Sequence, residues 1–247
     1  MNICISTVVD ENYQCYVPLF VWCVHHVYPS YEVKIFSREK DFPDFPKLRY
    51  NTIALRFVVP PQHYENYDYV YVTDIDMFLM PERTSIDQFH LGEMVGTGLC
   101  YSNSLRNVHH YAGFQSLSGL HFASREWLLR TESVRANYYD LLKKGLVGLY
   151  REYDGVMLYR MAEKSGLGLP QKYKLKKRHH GIHLGNFRLF DKKEAWSDRI
   201  PMEWRYQWKQ WMSEPEFAEL VRVCKNENAE ADILITKMEK FIEETTV

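Results

Sequence analysis

Two carboxylates, Asp74 and Asp76, follow directly on the apolar run Val70-Tyr71-Val72-Thr73. The run is β-branched and aromatic, and it reads as a strand buried on both faces. Residues two apart in extended chain project the same way. The pair, with Ile75 between, therefore presents hard oxygen ligands just past a strand end. Such donors suit Mg²⁺ or Mn²⁺, and in open α/β sheets ligands bind beyond the carboxyl ends of the strands. The spacing points to a metal–diphosphate site. An Asp-x-Asp tripeptide arises about once by chance in a chain of this size. The abrupt passage from apolar strand to paired acids is what separates this one from a solvated turn.

Other residues could serve such a site. Arg56 interrupts the most apolar part of Leu48–Val59, a segment read as a helix and stopped by Pro60-Pro61. It is either a snorkelling surface arginine or a cation facing a nucleotide or sugar. Asp154 opens the helically spaced run Val156–Ala162. It is either a first-turn acid favoured by the helix dipole or a carboxylate held at the mouth of the sheet. Lys172–Arg178 is the most basic run, and it leads into His179-His180-Gly181-Ile182-His183-Leu184-Gly185. A charge run next to glycines and histidines fits a solvated face or a phosphate-facing one.

The elements that must position these residues are legible in outline. Ile3–Val9 reads as a buried strand, Tyr13–Val27 as a helix ended by Pro29, and Tyr31–Ser37 as a second strand. Together they form a βαβ unit. Asp41–Pro46 is a loop with two prolines. Met94–Cys100 is expected as a strand, and so is Phe114–Phe122, which is rich in small residues. A helix is expected over 124–143 with Ser124 as N-cap. From Trp196 the composition shifts to helical stripes: Trp204, Trp208 and Trp211; then Phe217, Leu220, Val221 and Cys224; then Leu234, Ile235, Met238, Phe241 and Ile242. Such stripes are commonly packing faces, although a tryptophan face can also meet a membrane surface.

The 247 residues suffice for one large domain, or one domain with a helical appendage. A net charge of −1 argues against nucleic acid as partner. Five irregularly spaced cysteines suggest neither zinc nor a disulfide framework, and are expected as buried thiols in a reducing, cytoplasmic setting. No apolar run reaches membrane-spanning length, and the first ten residues lack the form of a signal peptide.

Taken in order, the βαβ unit, the Asp-x-Asp after a strand, the small-residue strand, the acid before a helix and the late His-Gly segment resemble the GT-A glycosyltransferases, in particular the retaining families 8 and 6. The resemblance runs roughly from Ile3 to Arg188. It implies an α/β fold with a Rossmann-like, mostly parallel central sheet flanked by helices. Residues 1–190 would form the catalytic domain, with 191–247 as a C-terminal helical extension packed on it. It also implies a metal-dependent enzyme that moves a sugar from a nucleotide-diphosphate sugar, a UDP-sugar first among donors, to a hydroxyl of a glycan-type acceptor.

In that family the Asp-x-Asp binds Mn²⁺ (or Mg²⁺), and Asp74 and Asp76 match it. A His in a His-x-x-Gly-x-x-Lys setting supplies a third ligand. Here His183-Leu184-Gly185-Asn186-Phe187-Arg188 is the nearest match, with the glycine one residue early and an arginine in place of lysine. The resemblance favours His183 over His180 as ligand and makes Arg188 the diphosphate partner, with Lys177 as a further cation. Arg56 would contact the donor, and Thr7 to Asp10, including Val9, would border the base. Asp154, with Glu152 as the alternative, would face the donor sugar or the acceptor: as base in an inverting enzyme, as a positioning group in a retaining one. Glycoside hydrolysis needs two carboxylates set apart around the bond, and Asp74 and Asp76 are too close along the chain for that. A sugar nucleotidyltransferase would carry a glycine-rich loop after the first strand, and Thr7–Asn12 has no glycine. A non-catalytic nucleotide-sugar-binding protein of the same fold is the other alternative.

Overall fold

The computed structural model describes residues 1–47, 53–106, 115–146, 154–168, 180–189 and 200–244. The chain begins with β1 (Ile3–Val9), a 3-10 segment Glu11–Tyr16, α1 (Val17–Val27), β2 (Glu32–Ser37) and the one-turn α2 (Arg38–Asp41). It continues through β3 (Tyr69–Val72), β4 (Met77–Leu79), α3 (Ile86–Thr97), β5 (Tyr101–Ser102), β6 (Leu105–Arg106), β7 (Ser116–Leu117) and β8 (His121–Ser124). Then come α4 (Arg125–Arg130), α5 (Glu132–Lys143), α6 (Asp154–Lys164), β9 (Gly181–His183), a 3-10 segment Leu184–Leu189, α7 (Met202–Met212), α8 (Pro215–Glu227) and α9 (Ala229–Glu244). The class is mixed α/β. The chain folds as two compact units, one of Met1–Glu11, Tyr31–Asp74 and Thr84–Arg178, the other of Asn12–Ser30, Ile75–Arg83 and His179–Val247. This division differs from the expected 1–190 and 191–247. The expected boundary itself lies outside the described residues.

The first unit is built on a five-stranded sheet of order β2-β1-β3-β8-β5. β2, β1 and β3 pair in parallel. β8 runs antiparallel to β3 and β5 antiparallel to β8, so only β8 opposes the common direction. All seven residues of β1 are buried, and Val70, Tyr71 and Phe122 of the central strands are wholly inaccessible. Continuous apolar strands of this kind suit a sheet covered on both faces. Phe57, Tyr64, Trp127, Tyr138 and Met157 pack among the core side chains of this unit. A two-stranded antiparallel ribbon, β6 with β7, packs against α6, where Gly155 sits so close that a Cβ there would meet the Leu117 carbonyl.

The second unit pairs β4 antiparallel with β9, Met77 opposite His183 and Leu79 opposite Gly181. A Cβ at Gly181 would collide with the Phe78 backbone, so glycine is what allows the two strands this approach. Trp22 of α1 packs on Trp211 and Phe217, and Phe78 stacks on Trp208 at 5.3 Å. All three tryptophans of α7 are buried, and Trp204 Nε1 donates to the Pro81 carbonyl at 3.1 Å. The stripe is thus a packing face. The other two stripes are buried likewise, apart from the partly exposed Leu220. Among the described residues no helix is long and apolar enough to cross a membrane.

Four expectations are corrected. Met94–Cys100 is not a strand: it closes α3 and leads out of it. Ser85 and Gln88 form a capping box at the start of α3, and Gly98, at φ 66°, terminates it. Phe114–Phe122 is not one strand. Its described part divides into β7 and β8, which belong to different sheets and are separated by Ser118–Leu120. The helix over 124–143 is capped by Ser124 as expected, but it breaks at Thr131, whose hydroxyl donates to the Trp127 carbonyl at 2.8 Å. Leu48–Val59 is not helical to its end: from Arg56 the chain turns, held by i→i−3 bonds from Phe57 and Val58. The buried Arg135 guanidinium binds the Phe57 carbonyl at 2.7 Å and fixes that turn.

Candidate functional site

In the first unit, Asp74 lies just past β3, where the Thr73 amide still bonds the Ser6 carbonyl at 3.0 Å. Its carboxylate is gripped by Arg56 Nη1. Arg56 Nη2 reaches the Asp154 carboxylate at 3.1 Å. The turn at Arg56 aims the guanidinium inward, and only 6% of the residue is exposed. Arg56 therefore does not snorkel: it is a buried cation shared by two carboxylates that are each about one-fifth exposed. Asp154 is the first residue of α6, where the helix dipole favours its charge. Thr7 and Val9 are buried on β1, and Asp10 follows it. The hydroxyls of Thr7 and Thr73 are buried with no hydrogen-bond partner among the described residues.

In the second unit, Asp76 is 5% exposed. His183 Nε2 stands 3.2 Å from its Oδ1, and Arg188 Nη2 stands 3.7 Å from its Oδ2. The β4–β9 register brings His183 to this place, and the Leu184 amide donates to the Asp76 carbonyl at 2.9 Å. Burial alone would raise the Asp76 pKa, but the charges of His183 and Arg188 outweigh it and hold the carboxyl below its ordinary value. Arg188 is fixed in turn by Glu230 and by the Tyr13 hydroxyl, each at 2.8 Å. Burial pushes the Tyr16 phenol up, and Asp76 adds to the effect. Ile75 is buried in the same unit.

The two candidate histidines part company. His180 is wholly buried, takes a left-handed φ of 58°, and pairs through Nδ1 with Glu82 at 2.6 Å. His183 faces Asp76. Glu152 and Lys177, together with the basic run 172–178, lie outside the described residues.

A buried carboxylate and an imidazole nitrogen converge at Asp76, both of them groups of a kind that ligate divalent cations, and a Cβ at Gly185 would crowd Asp76 Oδ2, His183 Nε2 and Arg188 Nη1 together. Among the described residues, no three His, Cys, Asp or Glu side chains gather as a ready-made cage. The sequence reading passed over Tyr13 and Glu230, which carry no sequence signal because their partner Arg188 lies far away in the chain. Gly185 was legible only as a motif position, and Gly119 only as part of the small-residue stretch.

No protein-family model matches this chain, and no curated protein sequence matches it.

Proposed function

We propose that this protein is a metal-dependent glycosyltransferase that moves a sugar from a nucleotide-diphosphate sugar to a hydroxyl acceptor. The observation that carries the reading is the buried Asp76 carboxylate set between His183 Nε2 and Arg188. A carboxylate, an imidazole and a guanidinium in one place are what a cation and a diphosphate together require. Asp76 and His183 would hold Mn²⁺ or Mg²⁺. A divalent ion there would offset the charge that develops on a leaving diphosphate. Arg188, anchored by Glu230 and Tyr13, would pair with that diphosphate.

Asp154 would serve the sugar side. Arg56 holds its carboxylate in place, where it would accept a hydrogen bond from a sugar hydroxyl or a proton from the acceptor. The orphaned hydroxyls of Thr7 and Thr73, at the carboxyl ends of β1 and β3, would serve a nucleotide.

Thermal stability against nucleoside diphosphates, with and without Mn²⁺, tests this reading. A ligand at about a hundred times its Kd adds about 2.7 kcal/mol, which a melting curve resolves. The expected result is a Mn²⁺-dependent shift with one diphosphate that Asp76→Asn abolishes while remaining folded. A shift without turnover of any nucleotide sugar would favour the non-catalytic binding protein. No shift with any diphosphate would reject both.

A further inference from the structure

The chemistry-bearing side chains of the first unit rest on a residue without a side chain. Gly119 is buried against the Arg56 guanidinium, and a Cβ there would collide with Arg56 Nη2 and come within 3.6 Å of Asp154 Oδ2. Its loop, Ser118–Leu120, is held by Asn103, which is 3% exposed. Asn103 Nδ2 donates to the Ser118 carbonyl at 3.0 Å and to His121 Nδ1 at 3.1 Å. Asn103 Oδ1 accepts from the Ser104 and Ser118 amides at 2.7 and 3.0 Å. The Ser118 hydroxyl lies 2.8 Å from the same oxygen. A buried polar network whose members are all satisfied rigidifies the backbone that it joins. The loop is therefore a wall at a set distance from Arg56.

We infer that Gly119, on a loop anchored by Asn103, is the positioning residue that sets where Arg56 can stand, and through Arg56 fixes the Asp74 and Asp154 carboxylates for ligand binding. The argument is steric. No positive φ accompanies Gly119, so a methyl group there strains no backbone and clashes only with the end of the Arg56 side chain, its distance to Asp154 Oδ2 being an ordinary contact. Alanine at this position would leave the fold standing and displace the guanidinium. Two carboxylates would then lose their common partner together. What the site binds rests on the proposed function; the steric coupling does not.

A double-mutant cycle separates the two. Gly119→Ala, Arg56→Ala and the double variant are compared by urea unfolding without ligand, and by titration with UDP and Mn²⁺; Arg56→Gln replaces Arg56→Ala if the latter does not fold. Gly119→Ala is expected to weaken UDP–Mn²⁺ binding about tenfold or more in the Arg56 background, and to have no further effect once Arg56 is gone. Its effect on unfolding should vanish in the same way. Additive effects on unfolding would show that Gly119 does not act through Arg56 and would overturn the inference. Coupled unfolding with binding unchanged by Gly119→Ala would also overturn it, since the clamp would then be structural only. If the wild type binds no nucleoside diphosphate, the proposed function and the clamp's role in binding fall together. Coupled unfolding would then still identify that failure as one of function, not of geometry.

Discussion

His183 Nε2 stands 3.2 Å from Asp76 Oδ1, on a strand whose register sets His183 opposite Met77, the residue after that aspartate. The imidazole and the carboxylate are thus fixed by backbone pairing, not by flexible loops. A site held this way loses affinity when a donor is removed, without losing its shape.

His183→Ala should accordingly lower Mn²⁺ affinity by more than about tenfold, the scale on which even the outer partners of metal ligands act. His183 is part-exposed and Arg188 still faces Asp76 when the imidazole is gone, so the melting temperature without metal should fall less than a fully buried pair would cost. Isothermal titration with Mn²⁺ in the presence of a nucleoside diphosphate reads the first effect, and calorimetry reads the second. Unchanged Mn²⁺ affinity would remove His183 from the ligand set.

His180→Ala should do the reverse. It leaves Glu82, itself 7% exposed at its side chain, without its imidazole. Breaking a buried pair from one side costs about 3 kcal/mol or more. Urea unfolding should show that loss, and Glu82→Gln in the same background should recover part of it by replacing the buried carboxylate with a neutral amide. Recovery of nothing would mean that the pair is not what His180 contributes.

His121 supplies a pH dependence. Burial, with the charge of Arg135 adding to it, lowers its pKa from 6.5 to about 3. The unfolded chain therefore takes up this proton first as pH falls. The stability that the neutral imidazole contributes is complete above pH 6.5, and is lost as pH falls from there towards about 3. Replacing it by leucine should flatten the acid limb of the urea midpoint between pH 6.5 and 4. A limb of unchanged slope would assign acid sensitivity to other groups.

The parts of this molecule that follow from local pattern were legible in the sequence. Ile3–Val9 is the strand its composition implies, the Val70–Val72 run is buried ahead of the two aspartates, and the Trp204, Trp208 and Trp211 spacing is a buried helix face. Misreadings arose where a distant residue decided the outcome. The turn at Arg56 depends on Arg135, 79 positions later in the chain (135 − 56). The loop at Gly119 depends on Asn103 across a break between sheets that no periodicity reveals. Met94–Cys100 was misread for a different reason: the capping box at Ser85, a local signal, outranks a short apolar run, and Val95 is left 86% exposed.

The second unit is assembled from Asn12–Ser30, Ile75–Arg83 and His179–Val247. During translation, α1 and β4 leave the ribosome long before the helices that cover them. Trp22 must wait for Trp211 and Phe217, and Phe78 for Trp208. Until α7 and α8 emerge, this apolar surface stands bare, and a nascent chain in that state is a client for chaperones. The same history makes truncation at residue 190 a poor route to a smaller protein, because it would strand those side chains permanently.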